Sequence, residues 1–144
     1  MISSKLLYSY LMKFALIALV FIVVLIVANR ALAGDFMPPT EAAQRVADGT
    51  AVLIDVREPV EWASSGVAEL AILLSLSDLR SDRVAWKPFL EKNKDKELIL
   101  YCRSGNRSDI AASILAKEGY TVANAGGFKH WKSSGLPVRS VSQD

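Results

Sequence analysis

The chain has 144 residues, enough for one domain, and its 51% hydrophobic content fits a packed globule. Lys and Arg total 17 against 15 Asp and Glu, but Lys5, Lys13 and Arg30 precede Gly34 while every acid follows it. The part after Ala33 therefore carries 14 basic and 15 acidic residues, a net −1, and its charge gives no reason to invoke nucleic acid. One cysteine and one histidine cannot make up a zinc or iron–sulfur ligand set, and a lone cysteine cannot close an internal disulfide.

The first 33 residues form a separate segment. Phe14 to Ala28 is an unbroken apolar run of fifteen, with Lys5 and Lys13 before it and Asn29-Arg30-Ala31-Leu32-Ala33-Gly34 after it. A positive start, an apolar middle and a small-x-small ending describe a secretory signal peptide over residues 1–33, cleaved after Ala33. The alternative is an uncleaved membrane anchor. The run falls short of the roughly 20 residues that span a bilayer, and Leu6 to Met12 lengthen it. Either way the lysines and amino terminus outweigh Arg30, which places residues 34–144 outside the cytoplasm, periplasmic or extracellular. Membrane contact is expected only if the segment stays attached.

In the remainder, Pro38 to Ala47 reads as a short helix capped by Thr40, with Ala43, Val46 and Ala47 facing inward. Ala51-Val52-Leu53-Ile54 is a continuous apolar run suited to a strand buried on both faces. Asp55-Val56-Arg57-Glu58-Pro59 follows at its carboxyl end, where ligand sites collect in open α/β sheets. A short helix holding Trp62 comes next. Glu69 to Leu76 is apolar enough for a second buried strand, though its periodicity does not exclude a helix; Asp78 to Arg83 is a charged turn, and Val84, Trp86, Phe89 and Leu90 fit one helix face. Glu91 to Glu97 reads as a solvated helix end and loop.

Leu98-Ile99-Leu100-Tyr101 is then a strand, Cys102-Arg103-Ser104-Gly105-Asn106-Arg107-Ser108 a tight loop, and Ile110 to Leu115 a helix ending at Gly119. A loop of this kind turns its N–H groups inward, and the helix behind it adds unpaired donors and a positive dipole end. A thiol at its mouth beside two arginines ionises readily, and the thiolate is the nucleophilic form. Tyr120 to Asn124 gives another parallel strand, Ala125-Gly126-Gly127 a turn, and Phe128 to Lys132 a last helix. Strands alternating with helices predict an α/β fold with a central parallel sheet covered by helices on both faces.

Four stretches resemble the single-domain rhodanese family over about residues 38–138: Leu53 to Glu58 with Glu61-Trp62, Tyr101 to Ser108, Gly126-Gly127 with Trp131, and Gly135-Leu136-Pro137. The resemblance implies a rhodanese-like three-layer domain over residues 34–144. It also implies sulfurtransfer: Cys102 takes the outer sulfur of thiosulfate or a similar donor as a persulfide and passes it to cyanide or a thiol. The expected partners are thus a small anionic sulfur donor and a thiophilic acceptor, including a thiol protein; no cofactor is implied. Cys102 to Arg107 is Cys-x4-Arg, a smaller ring than the Cys-x5-Arg of cysteine phosphatases, and it suits one sulfur better than a phosphate. The chain departs from the family between Val67 and Ser75, where the usual histidine, second glycine and proline are missing.

Within the loop, Cys102 is the expected nucleophile and Arg103 the cation that steers donors. Ser104, Gly105 and Asn106 shape the ring, Gly105 where positive φ or a close approach is needed. Ser108 is the expected helix N-cap. Arg107 is either a substrate-facing cation or an arm pairing with Asp55. Asp55 and Arg57 are expected to support the cavity floor through a charge pair. Besides catalysis, two readings stay open for Cys102: a noncatalytic persulfide carrier or binding module, and a redox-sensing thiol.

Overall fold

A computed structural model describes residues 4–32 and 35–142. The chain divides into two units, residues 1–32 and 33–144. The first is the helix α1 (Ser4–Leu32), in which Leu6–Leu25 has mean hydropathy 2.3. At 1.5 Å per residue this stretch is about 30 Å long, so by length and composition it can cross a membrane. The expected cleavage point after Ala33 lies outside the described residues.

The second unit runs β1 (Asp35–Phe36), α2 (Pro39–Ala47), β2 (Ala51–Asp55), α3 (Pro59–Ser65), β3 (Val67–Ala68), β4 (Ile72–Leu73), α4 (Leu76–Leu79) and α5 (Trp86–Lys92). It continues with β5 (Glu97–Cys102), α6 (Asn106–Lys117), β6 (Val122–Gly127), α7 (Phe128–Ser133) and β7 (Val138–Arg139). The main sheet is parallel with strand order β1-β6-β5-β2-β4; β3 and β7 form a separate antiparallel pair. Successive strand side chains point to opposite faces, and here both faces are apolar. Ile54, Leu98 and Leu100 pack with Ala111, Ala112 and Leu115 of α6 and with Leu79, Trp86 and Leu90. Leu53, Ile99 and Tyr101 pack on the other face with Ala42, Phe128 and Trp131. Each fully buried Leu or Ile contributes about 1.5–3 kcal/mol. The central strands β2 and β5, paired from Ala51↔Glu97 to Asp55↔Tyr101, therefore form a rigid platform for the loops at their carboxyl ends.

Several local expectations are corrected. Helix α2 begins at Pro39, whose missing N–H suits the first turn, so Thr40 lies inside it and makes no cap. Its buried residues are Pro39 and Ala42, and Ala47 is exposed. The apolar stretch from Glu69 gives only the two-residue edge strand β4, because Ser75 stops it by accepting the Asp78 N–H and capping α4. Val84 is exposed, and the Asp78 carboxylate takes the N–H groups of Val84, Ala85 and Trp86. The Gly126-Gly127 pair continues β6 instead of turning away from it.

Candidate active site

Cys102 is the last residue of β5 and lies opposite Gly127 of β6, past a register shift that begins after Leu100. Residues 103–105 turn the chain into α6. The N-cap is Gly105 at φ 104°, a left-handed conformation that side chains disfavour. This geometry points the Gly105 N–H at Cys102 Sγ, 3.1 Å away, and places the Ser108 hydroxyl 3.5 Å from the same sulfur. Burial alone would push the thiol's pKa up. The Ser108 hydroxyl and the N–H groups of Ser108, Ser104 and Gly105 outweigh burial and hold it below its ordinary value.

Two expectations change here. Cys102 is 0% exposed, beneath the loop and not at its mouth. Ser108 is inside the first turn of α6, where its hydroxyl lies 3.0 Å from the Gly105 carbonyl and 2.8 Å from Asn124 Oδ1. Asn106 opens the helix and faces solvent. Ser108→Ala should raise the Cys102 pKa and slow its alkylation below the titration midpoint by about tenfold, the worth of one hydrogen bond to a charged group. The pH dependence of iodoacetamide reaction measures this; an unchanged profile would show that backbone donors alone set the thiol.

Asn124 on β6 was not singled out from the sequence, yet it ties the loop down. Its Nδ2 donates to the Gly105 carbonyl at 3.1 Å, and its Oδ1 accepts the Gly126 N–H at 2.9 Å. The available signal was a polar residue at the end of a buried strand directly before Ala125-Gly126-Gly127.

Asp55 and Arg57 form the expected charge pair. Arg57 Nη2 and Nε donate to Asp55 at 2.6 and 3.0 Å, Nη1 donates to Ser65 Oγ and Nη2 to the Gly66 carbonyl. Both side chains are buried, so the pair's remaining hydrogen bonds are what make its burial tolerable. The guanidinium also lies 4.4 Å from the Phe128 ring centroid.

Arg107 does not pair with Asp55, one of its two expected roles. It pairs in bidentate fashion with Glu61, Nη1 to Oε2 at 2.5 Å and Nη2 to Oε1 at 2.8 Å. Glu61 Oε2 also accepts the Glu58 N–H in a reciprocal capping box that fixes the start of α3. The Glu58-x-x-Glu61 spacing before Trp62 was the available signal. Arg107 holds the Glu61 carboxyl at about 2, well below its ordinary 4.5. A depressed carboxyl stabilises the fold above its unfolded pKa, and that contribution fades as pH falls toward the folded one. Thermal unfolding of the protein and of Glu61→Gln should therefore differ most above pH 4.5 and converge as the pH approaches 2. A gap independent of pH would contradict the pairing.

Beside the loop opens a cavity of about 600 Å³, lined by Arg103 and Ser104 from the loop, Arg57 and Glu61, and Phe128, Lys129 and Lys132 from α7. Arg103 and Ser104 are exposed there. The arrangement brings a thiol with a lowered pKa, a ring of donors and several cations to one end of the sheet. That is the equipment for a sulfur nucleophile handling anions.

The comparisons with known proteins agree with this chemistry. Residues 38–134 match the rhodanese-like domain family. The chain is 35% identical over 100 residues to a sulfurtransferase of Allochromatium vinosum, covering 67% of this chain and 86% of that protein. It is 31% identical over 99 residues to a thiosulfate sulfurtransferase of Pseudomonas syringae, with the same two coverages. Other relatives are much longer: the chain spans 30% of a tRNA uridine(34) hydroxylase of Acinetobacter baumannii. Among solved structures, the polysulfide-sulfur transferase homodimer of Wolinella succinogenes superposes with a TM-score of 0.60 at 26% identity, covering 76% of this chain and 80% of that one. With its parallel sheet, its strand–loop–helix around Cys102 and these relatives, the chain belongs to the rhodanese-like domain family and has sulfurtransferases among its homologues.

Proposed function

We propose that the domain is an exported sulfurtransferase that carries sulfane sulfur on Cys102. The observation that carries this reading is the sulfur itself, 3.1 Å from the Gly105 N–H and 3.5 Å from the Ser108 hydroxyl, at the base of a helix. The Cys102 thiolate attacks the outer sulfur of thiosulfate or a similar donor. A Cys102–sulfur bond forms, the donor's S–S bond breaks, and sulfite leaves with the electron pair. Cyanide or a thiolate then attacks the terminal sulfur, and the Cys102 thiolate is restored. The loop's donors favour the thiolate, the nucleophilic form, over the thiol. The loop's donors stabilise the negative charge on the persulfide.

The helix α1 supports export, since its length and hydropathy suit a signal or an anchor. The family relationship and the thiosulfate sulfurtransferase among the relatives support the donor class. Incubation with thiosulfate should add about 32 Da to Cys102, a persulfide, and cyanide should then release thiocyanate. Persulfide formation without turnover to any small acceptor would leave a sulfur carrier in place of an enzyme. Sulfenic acid or mixed disulfide forming in preference to persulfide would make the thiol a redox sensor.

A further inference from the structure

Three acceptors share one proton at the base of the nucleophile loop. The Ser108 hydroxyl oxygen lies 2.8 Å from Asn124 Oδ1, 3.0 Å from the Gly105 carbonyl and 3.5 Å from Cys102 Sγ, and a hydroxyl has a single hydrogen to give. The Gly105 carbonyl is already engaged. It accepts the Asp109 N–H at 3.0 Å and Asn124 Nδ2 at 3.1 Å, which takes up both of its lone pairs. The contest for the proton is therefore between Asn124 and the sulfur.

Asn124 enters it with a fixed orientation. Its side chain is buried, Nδ2 donates to the Gly105 carbonyl, and Oδ1 accepts the Gly126 N–H at 2.9 Å. Turning the amide over would set its NH2 against the Gly126 N–H and its oxygen against the Gly105 carbonyl. Toward Ser108, Asn124 thus presents an acceptor. While Cys102 is an uncharged thiol, the hydroxyl gives its proton to Oδ1, the nearer and stronger acceptor. Once Sγ is a thiolate, a hydrogen bond to a full charge outweighs one to a neutral amide. The change needs only rotation of the hydroxyl, and Oδ1 keeps the Gly126 N–H and is not left without a partner.

We propose that Asn124 is a positioning residue for the sulfur chemistry, holding the Ser108 proton while Cys102 Sγ is uncharged and yielding it to Sγ whenever Sγ is a thiolate. The link to sulfur transfer rests on the Cys102 persulfide proposed above; the exchange of hydrogen bonds rests on the geometry alone. In loading, Sγ attacks the donor's outer sulfur, the donor's S–S bond breaks with the electron pair on the departing group, and the negative charge passes from Sγ to the new terminal sulfur. The hydroxyl then turns back to Asn124. In discharge, the acceptor thiolate takes the terminal sulfur, the Sγ–sulfur bond breaks, and the electron pair falls on Sγ, where the hydroxyl turns in to meet it. Ser108 keeps its proton throughout, and no outside oxidant or reductant is consumed.

Carbon-13 NMR of the full chain in detergent, labelled at the asparagine side-chain carbonyls, reads the exchange. The asparagines are Asn29, Asn93, Asn106 and Asn124, so few resonances compete. The Asn124 Cγ resonance should shift as the pH rises, with the same midpoint as iodoacetamide alkylation of Cys102. Methyl methanethiosulfonate converts Cys102 to a neutral Sγ–S–CH3 disulfide without any sulfurtransferase activity; it should return the resonance to its thiol-form position and abolish that step. Ser108→Ala should remove most of the shift although Cys102 still ionises, and the adduct of the native chain decides if this variant does not fold. The charged groups on the elements around Cys102 are Arg103 and Arg107, Glu61 paired with Arg107, Asp55 paired with Arg57, and His130, which reaches Gly126 from α7. A response to any of these survives methylthiolation, so the step that the adduct abolishes reports Cys102. An Asn124 resonance that ignores the Cys102 midpoint, follows it equally in Ser108→Ala, or keeps its thiolate position in the adduct overturns the proposal. The full set of shifts in a protein whose Cys102 gains no sulfur from thiosulfate supports the exchange and overturns only the sulfurtransfer.

Discussion

Cys102→Ser should reduce sulfur transfer to the uncatalysed background and leave the fold intact. Serine is close in size to cysteine, and its oxygen would sit where Cys102 Sγ now receives the Gly105 N–H and lies near the Ser108 hydroxyl. The buried hydroxyl is therefore satisfied, and the stability change stays within about 1 kcal/mol. The chemistry does not survive the exchange. The donors that hold the thiol's pKa down cannot bring an alcohol into the range where it ionises near neutral pH, and nucleophilic catalysis needs the ionised form. The measurements are thiocyanate release from thiosulfate and cyanide, the mass of the protein after thiosulfate treatment, and thermal unfolding. Equal turnover by the variant, with its unfolding temperature unchanged, would move the reaction off Cys102 altogether.

The parts of this site that were legible in the sequence are those decided by local pattern. Apolar runs such as Ala51 to Ile54 and Leu98 to Tyr101 leave no solvated face, so they fix buried parallel strands, and the Cys102 loop follows from its place between strand and helix. The Asp55–Arg57 pair is also local, two residues apart, and its geometry needs no knowledge of the rest of the fold. Arg107 shows where such reasoning stops. Asp55 ends β2 and Glu58 and Glu61 follow it, and the choice among them depends on how α3 lies against α6. Since Arg57 already occupies Asp55, the reach of Arg107 is settled by the capping box that orients Glu61.

The Val67 to Ser75 departure from the family has a similar explanation. Without the usual histidine, second glycine and proline, the segment is held by contacts distant in sequence. Tyr101 Oη accepts the Ala68 N–H at 3.0 Å, β3 pairs with β7, and Trp86 Nε1 donates to the Ser75 carbonyl at 2.9 Å. Burial of Tyr101 pushes its phenol pKa up, so it stays protonated beside the Asp55–Arg57 pair. None of these partners lies within a helical turn or a hairpin of the segment, which is why no local pattern announced them. The exposure of Cys102 belongs to the same class: whether a thiol is covered depends on where residues 103–105 fall against β6.

Gly127→Ala should then damage the site, since of the described glycines Gly127 leaves the least room for a methyl group. Gly127 lies opposite Cys102, and a methyl group there would meet the Arg103 carbonyl oxygen at 2.6 Å, its carbon at 3.2 Å and Ser104 Cα at 3.2 Å. These are backbone atoms of the nucleophile loop, so no side chain can swing aside to relieve the overlap. Gly127 itself has φ −107°, which alanine adopts freely, so the whole cost is steric. Overpacking of this kind costs about 1–3 kcal/mol when a neighbour yields, and what yields is the loop. Displacing residues 103–105 moves the Gly105 N–H off the sulfur and lifts the Gly105 carbonyl from Asn124 Nδ2. Misplacement by about 1 Å costs on the order of 100-fold in rate. The variant should therefore show that loss in thiocyanate formation, an alkylation profile shifted to higher pH, and an unfolding temperature lowered by several degrees. Loss of stability with an unaltered alkylation profile would mean that β6 gives way instead and that the loop around Cys102 keeps its shape.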